Sequence, residues 1–458
     1  MGRCICCIAL LCVAAALPAQ TFTVLASFNE PSGYNPDFET LVQGYGVFYG
    51  TTLKGGPHNA GTIFKIFPSA PLSTLVGFDG TDGGIPAAGL VLGNDAMLYG
   101  TTGGGGANGY GTIFKVNPQA IYPNDAPVTL HSFDGADGAP HVAGLIEAAD
   151  GSFYGTTYQG GASANCEKGC GTVFSVTPAG VFTSLHSFGG ADGSGPYAGV
   201  TQATDGNFYG TTLGGGAHGH GTVFTITSAG ALTTLYSFCA RTFCEDGANP
   251  SGGLIQATDG NFYGTTSQGG SEGYGTVFKI APDASLATLV SFTGTNGMYP
   301  YAGLVQATDG NFYGTTDGSE LNSGTIFEVT SAGELTVLYS SYAEFHGGPI
   351  QATDGKFYGT SIAGGTYNVG TVYSLSMGLG PFVKTIPASG KLGSPVIILG
   401  TNLNEATGVT FNGIPAGIDR RAIWMVTANV PAGATTGKVE VSLPSGTLSS
   451  NVVFRVIE

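Results

Sequence analysis

The sequence predicts an all-β protein: a seven-bladed β-propeller, its last blade closed by the N-terminal strand, followed by a small immunoglobulin-like β-sandwich. Three observations carry this expectation. The string FYGTT, or a close variant, occurs seven times, with tyrosines at Tyr49, Tyr99, Tyr154, Tyr209, Tyr263, Tyr313 and Tyr358. A second string, GTVF or GTIF, also recurs seven times, beginning at Gly61, Gly111, Gly171, Gly221, Gly275, Gly324 and Gly370, the last reading GTVY. Finally, the chain is rich in Gly (79 of 458 residues) yet 42% hydrophobic and 11% aromatic, a composition for a folded β-protein with many tight turns and not for a disordered chain.

Each repeat contains four strand-like runs. In the fifth, GGLIQA (252–257) leads through the turn Thr258-Asp259-Gly260-Asn261 into FYGTT; Asp-Gly is a strong hairpin signal. A Gly-rich loop then leads to GTVFKI, and APDA turns into SLATLVSF. Four antiparallel strands recurring every 45–55 residues are the pattern of propeller blades. In GTVFKI, Phe278 and Ile280 share one face and Val277 takes the other, as in a sheet covered on both sides. The glycine of each FYG, for example Gly264, sits inside a strand. That position suggests close approach of a ring, expected from the next blade.

The count of fourth strands decides closure. The seventh repeat ends at GTVYSLSMGLGPF without one, and TFTVLASF (21–28) matches what is missing. Residues 381–458 change character to Pro- and Gly-punctuated strands sufficient for one β-sandwich. The expected division is a signal peptide at 1–20, the propeller at 21–380 and the sandwich at 381–458.

The signal peptide is read from one Arg followed by an apolar run, Cys4 to Leu17, and small residues near Ala19. That run is too short to span a membrane, and no later segment is apolar enough. The expected location is secreted, extracellular or periplasmic, with no membrane insertion after signal removal. The net charge of −16 argues against nucleic acid, which needs a basic footprint. Four cysteines remain after the leader, as Cys166 with Cys170 and Cys239 with Cys244. In an exported chain two local disulfides are expected, with free thiols or a zinc site as alternatives.

The repeat, through ATDGNFYGTT, GTVFKI, LTTLYSF and DGANP, resembles the GloVer-type tandem repeat of bacterial exported proteins over residues 21–376. The C-terminal part resembles an IPT/TIG immunoglobulin-like domain through GLGPFVKTIPASG, VIILGTNL, FNGIPA and VPAGATTG; Arg420 to Trp424 matches less well. The resemblance implies an extracytoplasmic scaffold or binding protein. It transfers no reaction to residues of this chain.

Propeller loops alternate between faces. The second-to-third and fourth-to-first connections share one face and here are the longer, variable ones. On that face the ligand-binding candidates are Asp82, Asp137, Asp192 and Asp246, in DGxDG-like segments with Asp79 and Asp134. Carboxylates there suit Ca²⁺ or sugar hydroxyls; alternatively, each caps its own turn. No cofactor is expected, Ca²⁺ being the possible exception. His218 and His220 read as loop histidines without a third ligand, and His131 and His186 as packing residues at the position of Tyr236. No catalytic triad, Walker loop or HExxH motif occurs, so no catalytic residue is assigned.

Two functions follow. The first is an exported non-enzymatic binding or scaffold protein recognising an extracellular carbohydrate or protein through the loop face. The alternative is a lyase or glycosidase using carboxylates near the channel, for which Glu147 is the odd acid among glutamines such as Gln202 and Gln256.

Overall fold

The computed structural model describes residues 20–37, 40–120, 125–318 and 324–457. The signal peptide expected at the N-terminus falls outside the described residues, apart from Gln20. All regular structure among them is β-strand or short 3₁₀ turn.

Seven antiparallel sheets fill the repeat region, six of them built from the four runs in chain order. In the fifth sheet the strands are Ile255–Gln256, Phe262–Thr266, Thr276–Ile280 and Leu286–Ser291. The third sheet gains a fifth strand, Ala139–Val142. The seventh sheet takes its fourth strand from the N-terminus: Thr21–Ser27 pairs antiparallel with Thr371–Ser376, Val24 opposite Tyr373. The expected pairing of the N-terminal strand with the last repeat is therefore present.

FYGTT holds this arrangement together, residue by residue. The Tyr ring stacks on the Phe of the next sheet's FYG: Tyr99 on Phe153 (3.9 Å), Tyr154 on Phe208, Tyr209 on Phe262, Tyr263 on Phe312, Tyr313 on Phe357, and Tyr358 of the seventh sheet on Phe48 of the first (4.1 Å). At the remaining seam Tyr49 shares a core with Leu98. The Tyr hydroxyl donates to the Asp of its own turn, as in Tyr263 to Asp259 at 2.8 Å. The first Thr donates to a carbonyl of the next sheet, from Thr51 to Ala88 through Thr360 to Pro36. The second Thr shares a buried hydrogen bond with the Thr of GTVF, such as Thr266 with Thr276.

The FYG glycine corrects one expectation. A Cβ on Gly264 would lie 2.7 Å from the ring of Phe278, which is its direct partner on the adjacent strand of the same sheet. The ring that requires glycine belongs to the same sheet, and the next sheet's ring lies on the neighbouring Tyr instead. Val277, Phe278 and Ile280 are all fully buried, so both faces of the sheet are covered.

The C-terminal module holds two four-stranded sheets around Val396, Ile398, Val409, Phe411, Val426, Val439 and Val441. The segment that matches the IPT/TIG pattern less well begins in a strand, Ile418–Ala422, paired with Met425–Asn429. This module packs on the tight-turn end of the repeat sheets. Its Trp424 ring lies over Gly46, Arg455 donates to the carbonyl of Ala203, and Ile386, Leu399 and Met425 join the core of Leu90, Leu92 and Leu98.

Candidate functional site

A cavity of about 600 Å³ is bordered by the first strand of every repeat sheet, through Val42, Val91, Ile146, Thr201, Ile255, Val305 and Ile350. Its wall is mostly Ala, Gly and branched aliphatics. At the turn end it is bordered by Lys384–Ala388 of the C-terminal module. The opposite end carries the variable loops.

Six of the seven seams around this cavity are tied by one device. A side chain ending each first strand accepts the N–H of the preceding sheet's turn: Gln43 from Thr353, Gln202 from Ala149, Gln256 from Thr204, Gln306 from Thr258 and Gln351 from Thr308. Glu147 does the same for Asn94. Burial raises the Glu147 carboxyl to about 7; the Asn94 N–H opposes this and Asp95 adds to it. Glu147 thus has the structural position of a glutamine. At the seventh seam the position is Leu92, and there the apolar residues of the C-terminal module pack.

The loop end is where the repeat ceases to repeat. The residue that follows the proline before each first strand is Asp37, Ala87, Tyr197, Ser251 or Tyr301 in different repeats, and His346, after Phe345, in the last. Tyr197, Ser251, Tyr301 and His346 border the cavity. Tyr158 meets Tyr197 edge-on at 5.8 Å, and Tyr301 meets His346 edge-on at 5.8 Å. His346 bridges Asp37 (2.5 Å from Nδ1) and Asp317 (2.8 Å from Nε2). Burial opposes its charge, but the hydrogen bonds to Asp317 and Asp37 outweigh that and raise it to about 9. Burial, with Asp37 nearby, holds the Tyr197 phenol well above its ordinary value. The Ser251 hydroxyl is buried and has no hydrogen-bond partner.

The loop carboxylates singled out in the sequence are held by their own loops and by the strand that precedes them. Asp82 accepts the N–H of Asp79, while Asp79 accepts from Thr81 and Asp82. Asp137 accepts from Asp134 N–H and pairs with His131 at 2.7 Å; Asp192 accepts from Gly189 N–H and pairs with His186 at 2.8 Å. Asp246 is fully buried, taking the Tyr236 hydroxyl and two backbone N–H groups. The alternation of His and Tyr at one repeat position thus tracks a hydrogen bond to an Asp as well as packing.

Both expected disulfides are present, Cys166–Cys170 with Cα atoms 5.2 Å apart and Cys239–Cys244 with 4.0 Å. His220 lies near the second pair, but those sulfurs are bonded to each other and offer no thiolate. Asp317, Glu344 and His346 also cluster, yet both His346 nitrogens are committed to carboxylates and its imidazolium repels a cation.

Among solved structures, a putative 6-phosphogluconolactonase from Bacteroides uniformis is 18% identical, with 68% of this chain and 85% of that one covered at a TM-score of 0.45. The periplasmic gluconolactonase of Pseudomonas aeruginosa is 14% identical, with 67% and 85% covered at 0.44. A Bacteroides thetaiotaomicron protein of unknown function is 13% identical, with 78% and 76% covered at 0.44. Likeness at this level carries no activity to this chain. No curated protein matches it. The Gloeobacter/Verrucomicrobia repeat model matches residues 14–167 and 163–373, and the IPT/TIG model matches 381–456. The chain therefore belongs to the Gloeobacter/Verrucomicrobia repeat family and ends in an IPT/TIG domain.

Proposed function

We propose that this is an exported binding protein that takes a sugar or sugar-sized polyol into its central cavity through the loop face. Residues 21–380 form a seven-bladed β-propeller closed by its N-terminal strand, and residues 381–458 form an immunoglobulin-like sandwich that caps the opposite face. The cyclic order of contacts supports the ring: each sheet stacks on the next, and Tyr358 of the seventh stacks on Phe48 of the first. Two disulfides fit an oxidising compartment, reached through the N-terminal leader.

The observation that carries the binding reading is the set of non-repeating side chains around the mouth of the cavity. Every residue of FYGTT is committed to structure, so variation at one position per repeat, bordering a cavity of ligand size, reads as recognition. Tyrosines suit a sugar's apolar face, and an uncommitted hydroxyl suits its oxygens. The loop carboxylates Asp82, Asp137, Asp192 and Asp246 shape the rim by holding their turns. Binding is favoured over glycoside hydrolysis because the carboxylate bordering the cavity among the described residues, Glu147, is spent on Asn94.

A glycan array with wild type, Tyr197→Ala and Tyr301→Ala tests this. Signals lost in both variants support the reading. Glycan signals that persist unchanged in both place recognition elsewhere.

A further inference from the structure

The cavity is not made by the repeats alone. Lys384 opens the first strand of the C-terminal module, Lys384–Ile386, and borders the cavity with Thr385, Ile386 and Pro387. Thr385 and Ile386 are buried, whereas Lys384 keeps accessible surface. Burial nonetheless lowers its ammonium below the usual lysine value. The residue borders the cavity, where surrounding protein displaces water from the ammonium although part of the side chain stays exposed. Its backbone pairs with Leu399 in the sheet, but no hydrogen bond or ion pair joins its ammonium to another of the described residues; the ion pairs among them are those of His131, His186, His346 and Lys279.

We propose that Lys384 makes the central cavity selective for a small hydroxylated carboxylate, such as a uronic acid, so that the C-terminal domain is part of the binding site. An ammonium on a cavity wall without a counter-charge is costly where protein displaces its water, and an anion is the group that relieves it. Among the other polar groups on the wall, the uncommitted Ser251 hydroxyl and the Tyr197 and Tyr301 rings complement a hydroxylated ligand. The other titratable groups bordering the cavity are the phenols of Tyr197 and Tyr301, His346, whose charge is more than offset by two carboxylates, and Glu147, held by Asn94. Lys384 is thus the cation left to a ligand. The chain's overall acidity opposes capture of anions at long range, so the selectivity is local to the cavity.

This inference rests on the cavity-binding reading above, and the test separates the two. Titration calorimetry is run with D-glucuronate and D-glucose on wild type, Lys384→Met, Lys384→Arg and Tyr301→Ala. Glucuronate is expected to bind wild type about tenfold tighter than glucose, the worth of one charge-assisted hydrogen bond. Lys384→Met removes that preference and leaves glucose unchanged; Lys384→Arg keeps it. Equal binding of both sugars by wild type and Lys384→Met overturns the role of Lys384 alone, with Tyr301→Ala still weakening both. Binding of neither sugar by wild type overturns the cavity reading and this one with it. Should Lys384→Met not fold, reductively ¹³C-methylated wild type carries the test. The Lys384 signal should titrate below ordinary lysines and shift upward with saturating glucuronate; no upward shift overturns the proposal.

Discussion

Glu147 reaches across the seam between the second and third repeat sheets, its Oε2 accepting the backbone N–H of Asn94 at 3.1 Å. Five glutamines do the same at other seams, without a charge to desolvate. The folded carboxyl titrates at about 7 against an ordinary 4.5, chiefly from burial. A raised acid pKa penalises the charged form. The penalty is absent below about pH 4.5, grows through the interval to 7 and is complete above it. Glu147→Gln should therefore stabilise the protein by about 1–2 kcal/mol at pH 8 and by nothing at pH 4. Denaturant midpoints at both pH values check this. A loss of stability at pH 8 means the carboxylate does something a glutamine cannot.

The second prediction concerns closure. Removing Thr21–Ser27 exposes the edge strand Thr371–Ser376 and uncovers Tyr373. An exposed edge with apolar residues invites association. The deletion should lower the melting temperature and yield oligomers in size-exclusion chromatography with light scattering. A monomer with unchanged melting shows that the pairing contributes little.

Gly264 provides a local test of packing. An added Cβ lies 2.7 Å from Phe278, which is fully buried, and 2.9 Å from Leu254. Gly264→Ala should cost about 1–3 kcal/mol by overpacking. Gly260→Ala is the control for turn strain, because its φ is +81° but nothing lies within 4 Å. If the two variants are equally stable, close approach of the ring does not explain the conserved spacing of the motif within this chain.

The bridge from Asp37 through His346 to Asp317 ties three loops at the cavity mouth. Its pH dependence has a definite sign. The folded His346 titrates at about 9 against an ordinary 6.5, because two carboxylates outweigh burial. Its contribution is fully present below pH 6.5 and is lost as pH rises through 9. His346→Asn should cost about 1–3 kcal/mol at pH 6 and nearly nothing at pH 10. The difference between wild type and variant removes the background from tyrosines. A variant equally destabilised at both pH values assigns His346 to packing alone.

Repeat architecture was largely legible in the sequence because its constraints are local. FYGTT and GTVF mark strands by alternation and turns by Asp-Gly, and the strand at 21–28 announces itself by matching the other fourth strands. The glycine in FYG was half legible. That something approaches it follows from its place in a strand. Which ring does so depends on the register that sets Gly264 opposite Phe278. The loop acids Asp82, Asp137, Asp192 and Asp246 drew notice as acids at a rim, but the residues that satisfy them lie in the same loops and on the preceding strand. The residues at the mouth had a readable signal that repetition obscures: superposing the repeats shows one position, that of Tyr197, Ser251, Tyr301 and His346, that refuses to repeat. Lys384 had none, since its place in the cavity depends on how two domains dock.

The most direct test of the central claim is a crystal structure of the protein soaked with the tightest glycan from the array. The account predicts ligand density within the cavity, against Tyr301 and Ser251 at one end and Lys384 at the other. Density confined to the outer loops around Asp82 or Asp192, with the cavity holding only water, would contradict it.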